Sequence, residues 1–261
     1  MQDETLVGEF THQAESFNAS AAANAPETLQ ALVALAAPRP TERWLEAACG
    51  PGVVTRALAP HAAAVHGVDL TPAMIDLARR EASALANVTF AVGDATALPE
   101  PDGTYDGAIA RFTIHHVPIP QRLVDELARV VKPGGAVVLA DHVADDDPAA
   151  AAWAQEIERL RDPSHWASLT LARLRRLGED AGLTLEREEI APLALDLTDW
   201  LERGSGTAAA RPLIERALAE APPDADAFRV EGQTLRLRWW AARFRAAPSP
   251  GSGSPAGRAR A

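Results

Sequence analysis

At 261 residues the chain has length for one substantial hydrophobic core with a small cap or insertion. No apolar run approaches the about 20 residues needed to cross a bilayer, and Met1-Gln2-Asp3-Glu4 lacks the basic and apolar stretches of a secretion signal. A net charge of −11 argues against broad attraction to nucleic acid or anionic membrane, and the single cysteine, Cys49, excludes an internal disulfide framework and suits a reducing, cytoplasmic setting.

Glu9–Ala37 has an amphipathic helical pattern, readable as a lid over a ligand or as a helix packed on the surface. Strand-like segments follow at Arg43–Ala48, Ala64–Asp69, Val88–Gly93, Tyr105–Phe112 and Ala136–Asp141. Helical patterns at Val53–Ala59, Pro72–Ala84 and Pro120–Val131 separate them, with Thr71-Pro72 as a capping residue and a first-turn proline. Lys132-Pro133-Gly134-Gly135 turns the chain into the fifth strand. This alternation predicts a doubly wound, Rossmann-like α/β sheet, mostly parallel, with helices on both faces.

Asp145-Asp146-Asp147-Pro148 opens a further helix to about Leu160, the aspartates reading as a solvated helix start. Another helix covers Thr170–Ala181. Leu185–Leu193 and Thr234–Phe244 read as an antiparallel C-terminal edge, with a helical cap at Leu197–Ala221 between them. Arg236, Arg238, Arg243 and Arg245 alternate with apolar residues, the pattern of one solvated strand face. From Ala246 the Pro/Ser/Gly composition predicts a disordered tail, 246–261.

Chemistry concentrates at the first strand-to-helix turn, Glu46-Ala47-Ala48-Cys49-Gly50-Pro51-Gly52. Gly50 and Gly52 allow close backbone approach to a ligand. The carboxylate of Glu46 beside them suits a cationic amino-acid end better than a pyrophosphate, and S-adenosylmethionine is the ligand that fits. A dinucleotide fingerprint would need a third glycine or alanine where Val53-Val54-Thr55 stands.

Leu45–Thr55, Val65–Leu70, Val92–Pro99 and Phe112–Pro118, reinforced by Leu127–Asp141, together resemble the class I S-adenosylmethionine-dependent methyltransferases. The similarity is greatest to the group of ubiquinone/menaquinone-biosynthesis and natural-product small-molecule methyltransferases. Where this chain has Glu46 and Ala48, that family more often carries aspartate and glycine.

The resemblance implies a single domain, 1–245: an N-terminal helical segment (1–42), a cofactor-binding core (43–142) and substrate-side elements (143–245). It further implies that Glu46, Ala48, Gly50 and Gly52 line the methionine moiety. Asp69 then accepts from the ribose hydroxyls, and Asp94 from the adenine amine beside the Ala95 backbone. Leu70 and Met74 lie near adenine or ribose, and Arg111 and Phe112 flank the cofactor. For Met74 plain helix packing is an equal reading, and an aspartate such as Asp94 often caps a loop.

His115 and His116 follow the fourth strand, where ligands of parallel sheets sit. An imidazole titrates near neutrality, so His116 is the first candidate general base and His115 the second. Asp141 is placed to orient a histidine or to bind a substrate hydroxyl. A metal site from His115, His116, Asp141 and His142 suits transition-metal chemistry but lacks a compact ligand motif, so no metal is expected. Trp153, His165, Trp166, Trp200, Trp239 and Trp240 are candidates for pocket walls or plain packing.

The function expected is methyl transfer from S-adenosylmethionine to a small molecule, with O-methylation of a hydroxylated metabolite fitting the histidine pair. The alternatives are a non-methylating reaction on the same fold, such as cyclisation or rearrangement, and non-catalytic cofactor binding. Neither nucleic acid nor membrane is an expected partner. A nucleic-acid methyltransferase would show a basic surface and, after the fourth strand, an Asn/Asp-Pro-Pro-aromatic motif where Ala110-Arg111-Phe112-Thr113 stands. The sequence leaves oligomeric state unread.

Overall fold

A computed structural model describes residues 2–19 and 24–248, without the side chains of 2, 3 and 19. The predicted tail beyond 248 and the stretch 20–23 of the predicted N-terminal helix lie outside the described residues. Two helices, α1 (Gln2–Ala19) and α2 (Pro26–Ala36), precede the sheet. The core then runs β1 (Arg43–Ala47), α3 (Val53–Leu58), β2 (Ala64–Asp69), α4 (Pro72–Glu81), β3 (Val88–Val92), β4 (Tyr105–Arg111), α5 (Pro120–Val130) and β5 (Val131–His142). It continues with α6 (Pro148–Arg161), α7 (Leu171–Asp180), β6 (Thr184–Asp196), α8 (Leu197–Arg203), α9 (Thr207–Ala219), β7 (Phe228–Glu231) and β8 (Thr234–Arg245).

The strands lie in the order β3-β2-β1-β4-β5-β8-β6, with β7 pairing to β8. The first five are parallel, while β8 runs antiparallel between β5 and β6. Strand order reverses between β1 and β4, which opens a crevice beyond their carboxyl ends.

Helices cover both faces, so the central strands are buried on both sides and read as continuous apolar runs. Period-two alternation sends Trp44, Ile109 and Val138 to one core with Leu32, Leu35 and Leu58. It sends Leu45, Ala108, Val137 and Leu139 to the other, with Leu123, Leu127, Leu174 and Phe244. No helix of the described residues is long and apolar enough to cross a membrane.

Four local features differ from the sequence expectation, each for a physical reason. β5 starts at Val131, because Val131 pairs with Tyr105 before Lys132–Gly135 bulges and pairing resumes at Ala136 opposite Gly107. The cap is two helices, since Gly204–Gly206 crosses the end of α6; the Gly206 N–H donates to the Arg161 carbonyl at 3.0 Å, and a Cβ on Gly204 would lie 2.3 Å from that oxygen. β7 is only four residues long, too short for alternation to reveal. Thr71 precedes α4, but its buried hydroxyl makes no capping bond.

Candidate active site

The crevice at the β1/β4 reversal holds a cavity of about 400 Å³. Two non-glycine residues at its mouth, Ala48 and Phe112, have φ of +53°, each just past a strand end. A left-handed backbone costs a residue with a Cβ about 1–2 kcal/mol, so strain sits where the strands meet the cavity.

The two glycines of the turn have different tasks. Gly50, at φ +50°, faces open space, with only Met74 Sδ at 3.9 Å from where a Cβ would stand. Gly52, at φ +73°, precedes α3, and a Cβ there would lie 2.9 Å from the Phe90 ring. Gly50 therefore lines the cavity, whereas Gly52 is turned to Phe90 and does not.

Asp69 ties this turn to the next one. Its Oδ2 accepts from the Gly50 N–H and its Oδ1 from the Thr71 N–H, both at 2.8 Å. Each oxygen keeps a second lone pair for a ligand. Burial raises the Asp69 carboxyl above its ordinary value, against the pull of those two bonds. Glu46 is buried beneath the turn, accepting from the Thr55 N–H at 2.6 Å and from the Thr55 hydroxyl. Burial pushes its carboxyl up to about 7, opposed by Thr55 and by the Arg111 guanidinium.

Burial lowers Arg111 to about 10, and its guanidinium lies 5.1 Å from the centre of the Phe112 ring. Asp94 is exposed and Oδ1 accepts from the Thr96 N–H at 2.7 Å and hydroxyl at 2.8 Å, a loop cap that still lines the cavity. Leu70, Met74 and Ala95 line it too.

His115 and His116 form a 3-10 turn after β4, and both border the cavity. His115 Nδ1 lies 2.6 Å from Asp141 Oδ1, and burial holds its pKa well below the ordinary value. Asp141 itself stands behind His115, off the cavity surface. Ser164 donates to Asp162 Oδ1 at 2.6 Å and lies 3.1 Å from His116 Nδ1. With its own proton committed to Asp162, Ser164 accepts from the Nδ1–H, which leaves Nε2 as the basic nitrogen of His116.

On the far side, α1 lies across the cavity. Leu6, Phe10, Gln13 and Phe17, spaced along one helical face, line it. The Phe10 ring stands edge-on to His116, 4.8 Å between centroids. Gln13 donates to Asp162 Oδ2 at 3.1 Å, Glu9 accepts from the Ser205 N–H at 3.0 Å, and Glu15 pairs with Arg80 at 2.9 Å. One helix thus touches the α4 side and the α6–α9 side together.

The remaining wall carries Trp200, Leu193, Leu195 and Leu237, with Arg161 and Arg203 between them. Of the aromatic candidates Trp200 reaches the cavity. Trp239 and Trp240 are core residues, Trp153 donates to the Ala217 carbonyl at 2.7 Å, and Trp166 is exposed. His165 lies beside His115 and His142, 5.5 and 6.2 Å between centroids. Arg236 pairs with Glu231, Arg238 with Asp226, and Arg243 and Arg245 with Glu186. The expectation of one solvated face does not hold: alternation along β8 puts Arg236 and Arg238 on the face of Trp240 and Phe244, and Arg243 and Arg245 on the face of Leu237 and Trp239.

Sequence reasoning did not single out Glu158, Arg161, Asp162 and Ser164. The His115 carbonyl accepts from the Trp166 and Ala167 N–H groups at 2.8 and 3.0 Å, and these bonds bring that segment to the site. No local spacing signals such a join.

Residues 45–139 match the family described as a methyltransferase domain. The chain is 31% identical over 204 residues to a Bacillus subtilis (strain 168) protein named uncharacterized methyltransferase YcgJ, covering 77% of this chain and 80% of that one. The crystal structure of YcgJ matches with a TM-score of 0.80 at 26% identity, over 85% of this chain and 99% of that one. A demethylmenaquinone methyltransferase from Clavibacter sepedonicus is 37% identical over 105 residues, 40% of this chain and 43% of its own. Geranyl diphosphate C-methyltransferase from Streptomyces coelicolor A3(2), solved with S-adenosyl-L-homocysteine, shares the fold with a TM-score of 0.60 at 18% identity, over 85% of this chain and 78% of that one.

Proposed function

Since the chain belongs to the class I S-adenosylmethionine-dependent methyltransferases, we propose that it methylates a hydroxyl group of a small molecule with His116 as general base. Its cofactor is S-adenosylmethionine, which supplies an electrophilic sulfonium methyl when bound. The open space over Gly50 is a cradle that any Cβ would begin to fill, and it fits the methionine end. Ala48, Gly50 and Glu46 would hold that end, with Gly52 shaping the turn. Asp69 would hold the ribose through its second lone pairs, and Asp94 and the Ala95 backbone the adenine, beside Leu70 and Met74. Arg111 and Phe112 would close the side toward the acceptor.

The observation that carries the base assignment is the buried Asp162–Ser164–His116 chain, which sets the proton on Nδ1 and the lone pair on Nε2. His116 Nε2 would take the hydroxyl proton as the acceptor oxygen attacks, and Ser164 and Asp162 would steady the charged ring. His115, fixed by Asp141, would position its neighbour. Leu193, Leu195, Leu237 and Trp200 suit an apolar acceptor body, and α1 would exclude water from it.

Binding is tested with Asp69→Ala and Gly50→Val, which should abolish measurable affinity for S-adenosylmethionine; affinity retained in both refutes the site. Catalysis is tested by counting methyl transfer to a panel of hydroxylated acceptors. His116→Ala should slow turnover about 10²–10⁴-fold with cofactor affinity kept. Unchanged turnover removes His116 as the base.

A further inference from the structure

Beside His116 a histidine cluster has the chemistry of a metal ligand set. One ring nitrogen from each of His115, His142 and His165 lies within 4.8 Å of the other two. The three come from the 3-10 turn after β4, the end of β5 and the segment after α6, so the fold assembles a set that no sequence motif announces.

The groups around them orient the rings as outer partners of metal ligands do. The Asp141 carboxylate accepts from His115 Nδ1 at 2.6 Å, which leaves the lone pair on Nε2. The Gln155 carbonyl oxygen accepts from His165 Nε2 at 2.6 Å, which leaves the lone pair on Nδ1. His142 Nε2 lies 2.7 Å from the Ser168 hydroxyl.

Charge points the same way. Three buried carboxylates border the cluster: Asp141, Glu158 and Asp162. Arg161 is 3.4 Å from both Glu158 and Asp162, and Arg203 also acts on Glu158, so the surroundings hold more carboxylates than guanidiniums and favour a bound cation.

We propose that His115, His142 and His165 form a three-histidine site for a divalent transition metal, Zn2+ first, with its fourth position toward the cavity that His115 and His142 line. Zinc–nitrogen bonds of about 2.0–2.1 Å require the rings to draw closer than in this arrangement. The site stands apart from the O-methylation reading. Its use, polarising the acceptor oxygen beside His116, rests on that reading.

The test uses untagged full-length protein, treated with a chelator and titrated with Zn2+ and Co2+. One metal per chain is expected, together with the intense visible absorption of four-coordinate Co2+. His142→Asn and His165→Asn should each weaken Zn2+ affinity at least about 100-fold, and Gln155→Leu about 10–100-fold. Circular dichroism and S-adenosylhomocysteine affinity report whether each variant is folded. If an asparagine variant does not fold, the native Co2+ spectrum and Gln155→Leu decide. The proposal is overturned if the native chain binds neither metal, or if binding is unchanged in the folded variants. Failure of His116→Ala to slow methyl transfer would leave this titration untouched, so the two readings can fail separately.

Discussion

Glu46 is a buried carboxyl with a pKa of about 7 beneath the turn proposed to receive a cationic amino-acid end. A nearby ammonium favours the ionised form, so the bound state should keep Glu46 charged well below neutrality. Ligand-free protein takes up a proton there as pH falls through 7, and binding must expel it. Apparent affinity for S-adenosylmethionine then falls roughly 20-fold between pH 7.5 and pH 5.5, nearing tenfold per unit at the acid end. The ligand's own amino group, with an ordinary pKa of about 8, stays mostly cationic across this range.

Glu46→Gln removes the titration while its amide oxygen still accepts from Thr55, so affinity should be lower at pH 7.5 and the slope flatter. Asp69, also raised by burial, accounts for whatever slope remains. The same shift acts on stability with a definite sign. Because the folded pKa lies above the ordinary 4.5, the favourable contribution is complete below pH 4.5 and is lost as pH rises to 7. Ligand-free Glu46→Gln should therefore be more stable than the native chain at pH 8, by at most about 3 kcal/mol. Calorimetric titration in buffers of different ionisation enthalpy counts the released protons, and urea melts measure the stability. An identical pH slope in native and Glu46→Gln protein would refute the reasoning.

Four further substitutions test the backbone. Ala48→Gly relieves a left-handed alanine and should cost no stability, gaining at most about 1 kcal/mol in urea denaturation; a loss would contradict the strain assignment. Gly50→Ala and Gly52→Ala share a conformational cost of about 1–2 kcal/mol, but only Gly52→Ala also presses on Phe90. Thermal melts should rank Gly52→Ala as the less stable, and titration should rank Gly50→Ala as the weaker binder. Gly107→Ala places a Cβ 2.5 Å from the fully buried Trp44 ring and should cost about 1–3 kcal/mol, read as a lowered Tm.

Local patterns carried much of the core's architecture. The glycine turn, the strands read as ending at Asp69 and at Phe112, one residue past the observed end of the latter, and the proline-led helices are short-range signals, and they locate Glu46, Gly50 and Asp69 within one crevice. The separate tasks of Gly50 and Gly52 were not legible, because they depend on Phe90 of a strand two places away in the sheet. Asp69 was read as a ligand acceptor, while its two backbone bonds to the neighbouring turns needed the fold to appear. Ser164 was hidden, and His165 was legible only as a candidate for a pocket wall or packing, for a related reason: their neighbours, His116 and His115, belong to another element, and only the fold brings them together.

The place of β8 has a consequence for how the chain acquires its structure. The last described strand is interior, with Ala136 opposite Arg245 on one side and Thr184 opposite Arg245 on the other. During synthesis β5 must wait with an unpaired edge until more than a hundred further residues emerge. Such distant pairings slow folding and lengthen the time an apolar strand edge can meet another chain. Expression at low temperature or with chaperones should therefore raise the soluble yield more for this protein than for a sheet closed by its neighbours in sequence.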